Sequence, residues 1–192
     1  MNKRTTIKHW LLAILLMAVG MSACALGPIK WSEEVRLSDG RIIVIQREVI
    51  YVGGGDEWAS NREGGKIDEE RIRFASPDGS GKIVEWRSTK KDSQTYPEVP
   101  LVFDLLAGQP TVFTLIGISN ACEVYSKYVY RNGAWVEEPF SEQFGQLTTN
   151  LLFGSQRDLP KLLTLAEKSQ RNSSSGYRQA LKQIGPARKV CG

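Results

Sequence analysis

Apolar and polar positions alternate along most of the chain, and the alternation breaks at regular turn signals. Residues 31–52, WSEEVRLSDGRIIVIQREVIYV, place Trp31, Glu33, Val35 and Leu37 on one side of an extended strand. The chain turns at Ser38-Asp39-Gly40 and resumes as a β-branched run, which predicts a hairpin. The pattern recurs at 71–86, where Ile72 and Phe74 share a face opposite Arg71 and Arg73, and Val84 and Trp86 meet them across a Gly-rich turn. Residues 99–118 form a third and more apolar pair, expected to be central. Residues 122–138 form a fourth, whose Arg131-Asn132-Gly133 suits a tight turn that needs positive φ. Four successive hairpins with no helix between them predict an antiparallel β-meander of about eight strands.

After residue 157 the period changes. Asp158 is placed to cap a helix in which Leu159, Leu162, Leu163 and Ala166 follow a helical stripe, with Pro160 tolerated in the first turn. Tyr177, Ala180, Leu181 and Ile184 repeat the stripe, and Gly185 and Pro186 stop it. The expected fold class is therefore α+β: a meander over 31–157 packed with a C-terminal helical hairpin over 158–192, in a single globular domain.

The N-terminus belongs to neither part. Residues 1–9 carry Lys3, Arg4 and Lys8 with no acid, and Trp10 to Val19 run apolar until Gly20. About 20 apolar residues are needed to cross a bilayer, so this is a secretory leader and not a span. Met21-Ser22-Ala23-Cys24 resembles the lipobox of bacterial lipoproteins, although Met21 stands where leucine is common. The resemblance covers residues 1–24 only. It implies removal of residues 1–23, acylation of Cys24 with palmitate-type chains, and a short tether over 24–30. Several chains at about 0.8 kcal/mol per buried CH₂ give a stable membrane anchor. Ala25, where aspartate would signal inner-membrane retention, implies sorting to the periplasmic face of the outer membrane. Ala23-Cys24-Ala25 also satisfies an ordinary cleavage rule, and cleavage after Ala25 would leave a soluble periplasmic protein.

Removing the leader changes the charge. The full chain has 25 basic and 21 acidic residues, and losing three basic ones leaves 22 against 21, a net charge of +1. The basic pI therefore carries no hint of nucleic acid. The single histidine, His9, leaves as well, so Ser-His-Asp, Cys-His and His-zinc chemistry have no place in the mature chain. With Cys24 lipidated, Cys122 and Cys191 remain as an even pair in an oxidising compartment. A disulfide closing their 69 residue steps would stabilise the fold by roughly 4 kcal/mol. Two reduced cysteines too far apart to bond are the alternative.

Candidate contacts lie in the polar connection over 52–70, where Trp58 sits between glycine clusters beside Asp56 and Glu57. There Trp58 either meets a partner or folds back as a loop anchor. Tyr125 points away from Tyr128 and Tyr130 on its strand and becomes a contact if that face is open. Gly53-Gly54-Gly55 lacks the Gly-Lys-Ser/Thr end of a phosphate loop, and the acids over 56–70 lack the alternation of a calcium loop. Ser88 and Lys91 have the spacing of a Ser-Lys pair, but in a solvated loop that keeps lysine protonated. No cofactor or metal is expected. The expected function is a non-enzymatic envelope lipoprotein that binds a protein as a structural or assembly accessory. The alternative is an immunity or inhibitor lipoprotein that binds a toxin or enzyme. More remote is a carboxylate-dependent enzyme acting on glycans.

Overall fold

The computed structural model describes residues 27–53, 65–92, 94–118, 122–139, 147–174, 180–181 and 189–190. Its first four strands are β1 (Ile29–Arg36), β2 (Ile42–Gly53), β3 (Gly65–Ala75) and β4 (Ile83–Arg87), and the next four are β5 (Val99–Leu106), β6 (Gln109–Ile118), β7 (Cys122–Arg131) and β8 (Ala134–Glu138). Short elements follow: β9 (Leu147–Thr148), β10 (Leu162–Leu163), the helix α1 (Leu165–Ser174), β11 (Ala180–Leu181) and β12 (Lys189–Val190).

All four hairpins form where the alternation places them. Ile72 faces Trp86 and Phe74 faces Val84 across β3 and β4. The β7–β8 turn has Asn132 at φ 52° and Gly133 at φ 84°, the left-handed pair that a tight hairpin turn needs.

The strands do not make one meander of eight. They divide into two sheets, β1 to β4 with β10 along the free edge of β1, and β5 to β7 with β8 and β12 sharing the outer edge of β7. The division falls in the connection between β4 and β5. Glu98 is wholly buried there, and its carboxylate accepts from the Thr89 and Lys90 N–H groups, from Thr114 Oγ1 at 2.7 Å and from the Tyr128 hydroxyl. A carboxylate held by these four donors is costly to move, so the connection is tied to β6 and β7 and cannot bring β5 back alongside β4. Burial, with the Glu98 charge beside it, holds the Tyr128 hydroxyl well above its usual pKa.

The two sheets pack face to face. Val35, Leu37, Ile45, Ile72, Phe74, Val84 and Trp86 meet Phe103, Val112 and Tyr128, and the Phe74 and Phe103 rings lie 4.6 Å apart. The far face of the second sheet is covered too: Leu101, Val102, Phe113 and Tyr125 pack under Leu147 and Phe153.

The far face of the first sheet carries a ladder of ion pairs. Glu48 Oε1 is 3.0 Å from Lys30 and its Oε2 is 2.8 Å from Arg73 and 3.5 Å from Arg71, while Glu85 pairs with Arg73 and Arg87. Burial raises the Glu48 and Glu85 pKa values, but the surrounding cations outweigh it and hold both below the usual 4.5. A depressed carboxylate adds stability above its unfolded pKa and loses it as pH falls through the folded value. Urea midpoints measured from pH 6 down to pH 3 are expected to fall more steeply for the natural chain than for Glu48→Gln. Parallel curves would refute this.

The C-terminal part departs from expectation. Leu162 and Leu163 form β10, parallel to β1 with Leu162 opposite Ser32, and Leu163 is fully buried there. The helix starts later, because Thr164-Leu165-Ala166-Glu167 is a capping box. Glu167 Oε2 accepts from Thr164 N at 3.0 Å, and Thr164 Oγ1 accepts from Glu167 N at 3.3 Å. Asp158 caps nothing and lies at φ 51° in a turn. The expected second helix is also corrected: Ala180 and Leu181 pair with Thr148 and Leu147 as strand, and residues 182–188 lie outside the described residues. A single helix among the described residues thus replaces the helical hairpin. At the other end, β1 begins at Ile29, two residues inside the expected tether.

Candidate functional site

A cleft of about 400 Å³ opens where the β1–β2 turn, β5, the strand β9 and α1 converge. That volume lies within the ordinary range for ligand pockets. Its walls are built by side chains that replace missing backbone pairing. Asp104 on β5 accepts from Ser38 N at 3.2 Å and from Leu105 N at 2.7 Å, so a carboxylate of the second sheet holds the first hairpin turn of the other sheet. Asn150 covers the free edge of β5. Its Oδ1 accepts from Phe103 N at 2.9 Å and its Nδ2 donates to Phe103 O at 2.8 Å, as a neighbouring strand would, and Nδ2 also reaches Arg36 O.

The helical wall is polar on its inner side. Lys168 and Asn172, one turn apart, are both buried. Asn172 Oδ1 accepts from Phe153 N at 2.8 Å, and its Nδ2 donates to Leu151 O at 2.9 Å. Lys168 Nζ lies 3.3 Å from Glu33 Oε2 and donates to Glu34 O.

Lys168 ends a chain of buried charge. Arg47 donates to Glu33 Oε1 at 2.9 Å and to Glu70 Oε2 at 2.6 Å, and its guanidinium lies 5.2 Å from the Trp31 ring centre. Glu33 Oε2 also accepts from Leu152 N at 2.9 Å. Two carboxylates and two cations balance in the interior. Burial pushes the Glu70 carboxyl up against the opposing pull of Arg47, and burial lowers Lys168 against the pull of Glu33.

Two groups at the cleft lack a partner in this web. Thr149 Oγ1 is buried without a hydrogen bond among the described residues. Arg36 is exposed at the mouth, and its guanidinium makes no ion pair among the described residues. Asp104, which lines the cleft, and Glu33, which pairs with Lys168, are both held by N–H donors inside the fold. Among the described residues no group of three His, Cys, Asp or Glu side chains is placed to hold a metal ion. No helix among the described residues is long and apolar enough to cross a membrane.

No protein family, characterised protein or solved structure matches this chain.

None of the residues expected to carry function lines this cleft among the described residues. Asp56, Glu57 and Trp58 lie outside the described residues, as do Cys24 and Cys191, and Cys122 opens β7. Tyr125 does point away from Tyr128, but it is only 2% exposed, packed with Leu101, Val102 and Phe113. Segment 147–153 covers that face of the sheet, so Tyr125 is a core residue and has no surface to offer a partner. The cleft residues Arg36, Thr149, Asn150, Lys168 and Asn172 carry no motif that sequence reading would single out. One signal was present: the capping box at 164–167 fixes the helix register, and with it the common face of Lys168 and Asn172.

Proposed function

We propose that this chain is a non-enzymatic lipoprotein of the bacterial outer membrane that binds another envelope protein through the cleft between the β1–β2 turn and α1. The observation that carries the reading is the position of the cleft. Cys24 precedes β1, and the cleft begins at Arg36 and Leu37, at the opposite end of that strand. Eight residues of strand from Ile29 span roughly 26 Å, so a domain anchored at Cys24 holds the cleft well away from its attachment point. The lining favours a polypeptide ligand. Ser38, Thr148, Asn150 and Ser169 offer hydrogen bonds of the kind a peptide backbone uses, and Leu37, Val102 and Leu165 offer apolar contact. Among the described residues the lining has no aromatic ring for a sugar to stack on. The internal engagement of Asp104 and Glu33 supports a binding role over acid-base chemistry.

A photo-reactive amino acid at Ser169 in the full-length, membrane-anchored chain tests this. Illumination of cells is expected to give one discrete adduct with an envelope protein. Binding of that partner, once purified, should weaken about tenfold with Arg36→Glu, the scale of one lost charge-assisted contact. A probe at Val52, at the other end of the first sheet, should give no such adduct. An adduct from Val52 but not Ser169, or none from either, overturns the reading. A secreted toxin or enzyme as the trapped partner would replace the accessory role with inhibition.

A further inference from the structure

The outer face of the first sheet changes character toward the β1–β2 turn. Gln46 on β2 pairs with Arg73 on β3, and Arg73 with Glu85 on β4, so the three share the face that carries the ion-pair ladder. Two residues further along the same strands the ladder gives way to Val44, Ala75 and Ile83, with Ala75 opposite Ile83. Ile42, one row beyond, lies opposite Arg36. A sheet with one solvated face ordinarily alternates apolar and polar residues, whereas residues 42–45 are apolar on both faces. Ile42 is 51%, Val44 54% and Ile83 59% exposed. Singly exposed aliphatics are ordinary, but these three share one face in adjoining rows and form an apolar band.

The charge around the band says what covers it. Among the described residues of β1 to β4 and their turns, every lysine and arginine side chain except two has an ion pair or a hydrogen bond. The two are Arg36 and Lys82, both exposed, and both border the band: Arg36 faces Ile42, and Lys82 precedes Ile83. The carboxylates nearby are already engaged, Asp39 with Arg41, Asp78 with the Ser80 N–H and Glu34 with the Leu165 N–H.

We propose that Ile42, Val44 and Ile83 are a docking surface for a protein that presents aliphatic side chains bordered by carboxylates, which meet Arg36 and Lys82. Apolar contact supplies the buried centre of the interface, and the unpaired cations at its rim select an acidic partner. A second copy of this chain is a poor fit, because an isologous contact brings the same two cations to the seam and no carboxylate that is not already engaged. The chain's own bilayer is a poor fit as well, since Cys24 precedes Ile29 and the band lies at the other end of β1. The surface meets the cleft at Arg36, but the proposal does not depend on what the cleft binds.

A photo-reactive amino acid at Val44, and separately at Ile83, in the full-length, membrane-anchored chain tests this. Illumination of cells is expected to give an adduct with a protein, and the linked peptide of that protein should carry aspartate or glutamate. With the purified partner, Ile83→Ser and Lys82→Glu should each weaken binding about tenfold, and replacing the partner's carboxylate with lysine should restore binding to Lys82→Glu. Both variants change exposed positions, so their urea midpoints should match that of the natural chain. A lipid adduct, a cross-linked dimer of this chain, no adduct from either position, or a partner indifferent to Lys82→Glu overturns the proposal. An adduct from Ser169 with none from Val44 or Ile83 also overturns it while the cleft reading stands. Adducts from Val44 and Ile83 with none from Ser169 support this surface and remove the cleft reading.

Discussion

Replacing Arg47 with alanine is expected to destabilise the protein by about 3–5 kcal/mol, because it leaves buried Glu70 without its cation and Glu33 with Lys168 alone. Glu33 is 0% exposed and Glu70 2% exposed, and Arg47 is the group that bonds both. Folded domains are stable by only about 5–15 kcal/mol, so the loss should be visible as partial unfolding in mild urea. Arg47→Lys should fall between, since a single ammonium cannot fork across two carboxylates. The penalty is one of uncompensated charge and not of lost attraction. Converting the whole cluster with Glu33→Leu, Arg47→Met, Glu70→Leu and Lys168→Met should therefore recover most of the stability. Equilibrium urea unfolding of the four chains decides it. A loss below about 1 kcal/mol for Arg47→Ala would mean that water reaches the cluster. Acid should relieve part of the cost. Glu70 has a raised folded pKa, so its contribution is fully present below the unfolded value of 4.5 and is lost as pH rises through the folded value. This is opposite in sign to Glu48 on the outer face.

The second large effect is expected at Phe103. Its ring is fully buried between the sheets, against Phe74. Phe103→Ala removes the contact and leaves a cavity that two hydrogen-bonded sheets cannot close, at a cost of about 3–5 kcal/mol. At roughly 2–4 °C per kcal/mol for a chain of this size, Tm should drop by about 6–20 °C. Phe103→Leu should cost under about 1.5 kcal/mol. Ile83→Ala, at a position 59% exposed, should stay within about 0.5 kcal/mol. Calorimetry of the three variants tests the packing directly: equal losses at Phe103 and Ile83 would mean that the faces have been assigned the wrong way round.

The features legible in the order of residues alone are local. Turn chemistry at Asn132-Gly133 and the alternation of Ile72 and Phe74 with Arg71 and Arg73 are short-range properties, since a side-chain period of two depends only on the backbone. The tertiary structure decided everything that depends on which elements meet. Glu98 parts the meander into two sheets because Thr114 and Tyr128 come from strands distant in sequence. Leu162 and Leu163, spaced as a helix requires, are claimed by the free edge of β1, and a stripe of apolar residues cannot announce which partner will bury it. Glu33, set in an alternating row with Trp31, Val35 and Leu37, is buried like its neighbours. Only the arrival of Arg47, Lys168 and the Leu152 N–H makes that burial tolerable. The cleft is assembled from the β1–β2 turn, β5, β9 and α1, and no single stretch of the chain contains enough of it to be read in advance.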